Sequence, residues 1–179
     1  GRPVTPLAPF RNEPVLELRR APARETLAAG MKELTRQLPL RVPLWIGDDR
    51  REGDALVSTD PGDRDRVVAY APIASEADVD AAVRAAAEAF PAWSRTPAER
   101  RAEALVRAAR WLRENRAMLA ALEVRECAKP WDQADADVCE AIDFLEFYAR
   151  GALALDAGRP LLQVPGERNE MRYAPRGVV

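Results

Sequence analysis

At 179 residues the chain is long enough for one domain with its own core, and 47% hydrophobic against 31% charged residues marks a soluble globular protein, not a disordered or membrane-embedded one. Lys and Arg number 27 against 29 Asp and Glu, a formal charge of -2 with both signs interspersed, which excludes the field of a nucleic-acid or anionic-membrane binder. The chain has no histidine and only 2 cysteines, which excludes Ser-His-Asp and Cys-His nucleophile systems, His-containing zinc sites and four-thiolate sites from this stretch.

Residues 1–39 read as an N-terminal arm and a helix. Gly1 to Pro14 holds Pro3, Pro6, Pro9 and Pro14 with few periodic apolar positions, which predicts an irregular arm that wraps a neighbour. From Pro22, the apolar residues Leu27, Met31, Leu34 and Leu38 recur at helical spacing up to Pro39. Residues 40–74 predict small antiparallel strands: Pro43 to Ile46 closed by Gly47-Asp48-Asp49, then Ala55 to Thr59 and Arg66 to Tyr70 on either side of Asp60-Pro61-Gly62-Asp63.

Residues 75–158 predict a helical layer. Ser75 and Asp78 form a capping box ahead of Val79, Ala82, Val83, Ala86, Ala87 and Phe90, with Pro91 expected to end that helix. Thr96-Pro97-Ala98-Glu99 repeats the device before Leu105, Ala108, Ala109 and Leu112. Asn115 starts a third helix through Leu119, Leu122 and Val124 to Lys129-Pro130, and a longer one spans about Asp132 to Leu155 with Val138, Ile142, Leu145, Ala149 and Ala152 inward.

Residues 159–179 change period. Leu161 to Val164, a turn at Pro165 to Arg168, and Asn169 to Ala174 predict a hairpin, and Val178-Val179 opens a further strand. That last strand opens at the final residue with no partner after it, so the chain is expected to be the front part of a longer protein. No apolar run is long enough to span a bilayer and no secretory signal is visible, which together with two cysteines predicts a cytoplasmic protein in a reducing compartment. Neither a Gly-x-Gly-x-x-Gly nor a Gly-x-x-x-x-Gly-Lys-Ser/Thr loop is present, so a bound nucleotide would be held mainly by sequence that is not here.

Both cysteines read as ordinary thiols. Cys127 falls at a helix C-terminus, where the dipole disfavours a thiolate, and Cys139 lies mid-helix beside Val138 as a packing residue. The charges of Arg11, Glu13, Arg19 and Arg20 read as a solvated surface, with docking as the alternative. Glu140 and Phe144 share a helix face one turn apart; an acid beside an aromatic wall suits a substrate with an amino group and an apolar chain, while periodicity alone favours a solvated glutamate.

Glu126-Cys127-Ala128-Lys129-Pro130 resembles the Glu-Thr-Gly-Lys-Pro segment of the aldehyde dehydrogenase superfamily, with Cys127-Ala128 in place of the usual pair. Phe10-Arg11-Asn12-Glu13-Pro14, the Asp137 to Phe144 stretch with Tyr148-Ala149, and Pro165 to Glu170 narrow the likeness. Together they resemble the L-glutamate γ-semialdehyde (1-pyrroline-5-carboxylate) dehydrogenases, including those fused to proline dehydrogenase as proline utilization A. The resemblance implies an α/β aldehyde dehydrogenase-like fold, of which this stretch is the mainly helical part, with four to five helices and small antiparallel β segments before and after them. It implies NAD as the cofactor of the parent protein and oxidation of the semialdehyde to glutamate in proline catabolism. The catalytic and NAD-binding residues would come after Val179, so no catalytic, cofactor-binding or metal residue is assigned here and the stretch alone is expected to be inactive. In the family the glutamate matching Glu140 lies in the substrate pocket near the amino group, and Phe144 fits either pocket wall or core. Implied partners are the small-molecule substrate, the C-terminal part of the same protein, further copies through the 40–74 sheet, and a fused proline dehydrogenase domain. The reading from a different class is a non-catalytic helical scaffold or interaction module derived from such an N-terminus.

Overall fold

The computed structural model describes residues 7–179; the first part of the expected arm, Gly1 to Pro6, lies outside the described residues. Helix α1 (Ala21–Gln37) carries Pro22 in its first turn, where a missing N–H removes no intrahelical bond. Its Leu27, Gly30 and Leu34 are buried, and the helix packs on Arg116–Cys127, a later helix of the layer. A Cβ at Gly30 would stand 2.8 Å from the Ala117 Cβ and closer still to the Ala117 carbonyl. Gly30→Ala is therefore expected to push the two helices apart and cost about 1–3 kcal/mol, read as a lower urea midpoint at unchanged m value; an unchanged midpoint would contradict this close approach.

Ser75 and Asp78 form the predicted capping box at the start of α2 (Glu76–Trp93). Two features of α2 differ from expectation. Pro91 does not end it: the proline sits in the last turn, and the helix closes three residues on, where the Ser94 N–H donates to the Phe90 carbonyl at 2.8 Å. Its apolar face is also uncovered, with Val79 55% and Val83 53% exposed, while Ala81 and Ala85 on another face are half-buried. Periodicity groups residues on a face without saying whether a neighbour covers it.

Helix α3 (Ala98–Glu114) packs along α5 (Trp131–Ala157), with α4 (Arg116–Cys127) between the layer and α1. Leu27, Ala109, Ala120, Ala134, Val138 and Ile142 form the core, alanine letting the helix axes approach closely. Thr96 does not cap α3: its hydroxyl donates to the Ala92 carbonyl at 3.1 Å, and Pro97 holds the cap position. Nor does the Asn115 side chain cap α4, since it donates to the Trp111 carbonyl at 2.8 Å. Ala108, expected inward, is exposed.

Helix α4 ends on Ala128 at φ 55, left-handed backbone that disfavours a Cβ. Lys129 secures the same turn by pairing with Glu123 at 3.0 Å and with Asp137 of α5. Ala128→Gly relieves the Cβ crowding at some cost in unfolded-state entropy, with a net expected gain of about 1 kcal/mol; a fall in thermal midpoint would refute this.

The β segments are more mixed than the predicted antiparallel set. Strand β1 (Leu40–Arg41) precedes β2 (Leu44–Ile46), which forms a hairpin with β3 (Asp49–Arg51) across Gly47-Asp48, Gly47 taking φ 58. Arg51 reaches Asp78 and fastens that hairpin to α2. Strands β4 (Leu56–Asp60) and β5 (Asp63–Ala71) pair antiparallel across the predicted Pro61-Gly62 turn, but β1 joins β5 in parallel, Leu40 opposite Ala69. Buried Asp60 accepts from the Gly62 N–H and Arg66 at 2.8 Å and from Arg125 of α4 at 2.9 Å, which locks the turn to the helices. Burial would raise its carboxyl, but these three donors outweigh that and hold it below the usual range.

The hairpin expected over 159–179 is corrected. Past α5 the described chain holds a turn at Pro165-Gly166 between irregular segments, with no backbone ladder. The Gln163 side chain stands in for the ladder, accepting from the Asn169 N–H at 3.0 Å and donating to its carbonyl at 2.8 Å. A two-stranded ribbon without a further strand or helix against it is marginal in water.

Candidate functional site

Helix α5 runs for 27 residues and divides its side chains by face. Ala134, Val138, Ile142 and Ala149 are buried in the core, while Glu140, Phe144, Phe147 and Tyr148 emerge on the opposite side, as the i, i+4, i+7, i+8 spacing requires. Phe144 stacks on Tyr148 with ring centroids 5.9 Å apart and planes 16° off parallel. Phe147 meets Tyr148 edge-on at 5.6 Å. The sequence-predicted pair thus lies on one exposed face, and Phe144 is not a core residue of the described structure.

Glu140 differs from the acids around it. Asp135 is held by Arg116, Asp137 by Lys129, Asp143 by Asn12 and the Glu13 amide, and Glu146 by Arg113 and Arg150. Among the described residues Glu140 pairs with no cation, which leaves its carboxylate available to one that is not part of this stretch. Burial would raise the Glu146 carboxyl, yet its two arginines hold it below the usual range.

The described part of the arm lies along its own chain. Arg150 donates to the Ala8 carbonyl at 2.8 Å; Asn12 Nδ2 and the Glu13 N–H donate to the two Asp143 oxygens at 2.7 Å each; the Leu16 N–H donates to Asp135 at 2.7 Å. Glu13, read as solvated surface, pairs with Arg113 at 2.8 Å. Phe10 meets Phe147 edge-on at 5.6 Å. The only signal in the sequence for this contact is the spacing of Phe144, Phe147 and Tyr148.

Cys139 is buried under the arm, its sulfur 3.9 Å from the Pro14 carbonyl. Burial pushes its thiol up to about 11 against the pull of Arg116, so it is a thiol at neutral pH and serves packing. Cys127 is exposed at the C-terminal end of α4. The N-termini of three described helices do not suit a pyrophosphate. Helices α2, α3 and α5 open on acids, Glu76 and Asp78, Glu99, and Asp132, which repel a pyrophosphate, and the α2 capping box engages the Ser75 and Asp78 amides.

A small open sheet beside a layer of helices, one of them with an uncovered aromatic face, defines a mixed α/β protein. The chain belongs to the aldehyde dehydrogenase family, whose sequence profile matches residues 45–179. It is 39% identical over 171 residues to the 1-pyrroline-5-carboxylate dehydrogenase of Bacillus pumilus (strain SAFR-032), covering 95% of this chain and 33% of that protein. The crystal structure of 1-pyrroline-5-carboxylate dehydrogenase from Thermus with bound NAD superposes with a TM-score of 0.87 at 36% identity, over 96% of this chain and 34% of that one. Proline utilization A from Bdellovibrio bacteriovorus inactivated by N-propargylglycine gives a TM-score of 0.77 at 32% identity, over 86% of this chain and 16% of that one. The chain thus spans about a third of the length of the curated relatives it matches. Among the described residues no helix is long and apolar enough to cross a membrane.

Proposed function

We propose that this chain forms the N-terminal part of an NAD-dependent dehydrogenase that oxidises L-glutamate γ-semialdehyde, the open form of 1-pyrroline-5-carboxylate, to L-glutamate in proline catabolism. The observation that carries this reading is Glu140, an exposed acid of α5 with no cation partner among the described residues, set one turn from Phe144 and its stacked partner Tyr148, in a chain alike to such dehydrogenases over nearly its whole length. Glu140 takes the substrate's ammonium group and Phe144 flanks its aliphatic chain. NAD supplies the hydride acceptor when bound, and the residues that hold it belong to the rest of the protein.

The likeness to a proline utilization A protein supports a proline-derived substrate and a proline dehydrogenase domain, fused or separate, as a partner. The open edges of the β1–β5–β4 sheet, with Leu56 and Val57 exposed, support contacts to further copies of the protein. Two free cysteines agree with a cytoplasmic setting. The test is NADH formation from 1-pyrroline-5-carboxylate by the complete protein, with the 179-residue chain alone forming none. A complete protein without this activity would leave the helical-scaffold reading in its place.

A further inference from the structure

We infer that the N-terminal arm is a positioning element for the Glu140 face of α5, and that Phe10 is the contact through which it acts. The inference rests on the reading of Glu140 and Phe144 as substrate-facing. Its basis is a continuous line of rings from the arm to that face: Phe10 meets Phe147 edge-on, Phe147 meets Tyr148 edge-on, and Tyr148 stacks on Phe144. Each ring fixes the rotamer of the next, since an edge-to-face or stacked pair has a preferred geometry. Phe144 therefore inherits its orientation from a residue more than 130 positions away in sequence.

The arm is built to hold Phe10 in place rather than merely to bury it. Polar anchors stand on both sides of the ring: the Ala8 carbonyl on Arg150, and Asn12 with the Glu13 amide on Asp143. Asp143 lies three residues past Glu140 and next to Phe144, so the anchor grips the turn that carries both. Meanwhile Phe147 is 54% and Tyr148 58% exposed, and neither belongs to the buried core cluster. Within this stretch the two rings lie outside the core, yet the arm commits a run of directed hydrogen bonds to keeping one more ring against them. A contact that contributes little burial but fixes orientation is a positioning contact.

The experiment measures kcat and KM of the complete enzyme on 1-pyrroline-5-carboxylate and on propanal for Phe10→Ala, Phe10→Tyr, Asn12→Ala and Glu140→Ala. For Phe10→Ala the KM for 1-pyrroline-5-carboxylate is expected to rise about three- to tenfold, the factor that one aromatic pair commands, with kcat and the KM for propanal within about twofold. Phe10→Tyr keeps the ring and is expected to restore KM. Asn12→Ala removes one of two bonds on Asp143 and is expected to give a smaller rise with the same selectivity, which serves if Phe10→Ala fails to fold. Equal losses on both substrates, or no change in KM, would overturn the inference while a selective loss in Glu140→Ala keeps the functional reading intact. A non-selective Glu140→Ala would remove that reading and the inference with it.

Discussion

Asp135→Ala is expected to lower stability by about 3–5 kcal/mol. Asp135 is 1% exposed and lies at the meeting point of arm, α4 and α5. Its carboxylate accepts two bonds from Arg116, Nε and Nη2 at 2.7 Å each, and a third from the Leu16 N–H at 2.7 Å. Truncation removes the bidentate partner of a largely buried guanidinium, leaving it Glu13 at 3.9 Å and the Pro14 carbonyl at 3.0 Å, and orphans a backbone donor at once, so the cost exceeds the net worth of the pair. The bidentate Asp135 carboxylate also outweighs burial and holds the Arg116 guanidinium above its ordinary pKa. The comparison is urea unfolding of Asp135→Ala beside the double variant Asp135→Leu with Arg116→Met, which is expected to recover much of the loss because no charge is left stranded. A loss under about 1 kcal/mol in the single variant would mean that water reaches the pair.

That cluster marks the boundary of what the sequence discloses. Ser75 with Asp78, the proline at the start of α1 and the apolar rhythm of α5 are local signals, each legible within one or two turns, and the helices they predict are present to within a few residues. Strand β1 has two residues and β3 is Asp-Arg-Arg, so neither carries a period or a β-prone composition. Gln163 and Asn169 convert the expected C-terminal ladder into side-chain bonds, a choice that alternation of apolar residues does not encode. The bonds from Asn12 and Glu13 to Asp143 join residues about 130 apart, and a pattern read within a window cannot see them. The same holds for the site: Glu140 and Phe144 are legible through their spacing and the family resemblance, while Phe10 against Phe147 depends on the path of the arm.

Glu140→Ala in the complete enzyme is expected to lower kcat/KM for glutamate γ-semialdehyde by tens-fold or more. In a mostly desolvated pocket, losing one partner of a charged hydrogen-bonded pair costs on the order of 2–5 kcal/mol, and most of that is the penalty of an ammonium left unpaired. The structure supplies the reason to choose this acid over its neighbours. Asp135, Asp137, Asp143 and Glu146 are already committed to cations or amides within the chain, so their loss would damage the fold, whereas Glu140 is exposed and pairs with no cation among the described residues. Glu140→Ala should therefore leave the unfolding free energy from urea titration within about 0.5 kcal/mol of the parent, as surface substitutions do. Glu140→Gln keeps the shape and removes the charge, and is expected to fall between parent and Glu140→Ala on the semialdehyde. Activity on propanal, which has no amino group, should change much less in both. A shift in unfolding midpoint together with equal losses on both substrates would show that Glu140 supports the helix and does not read the amino group.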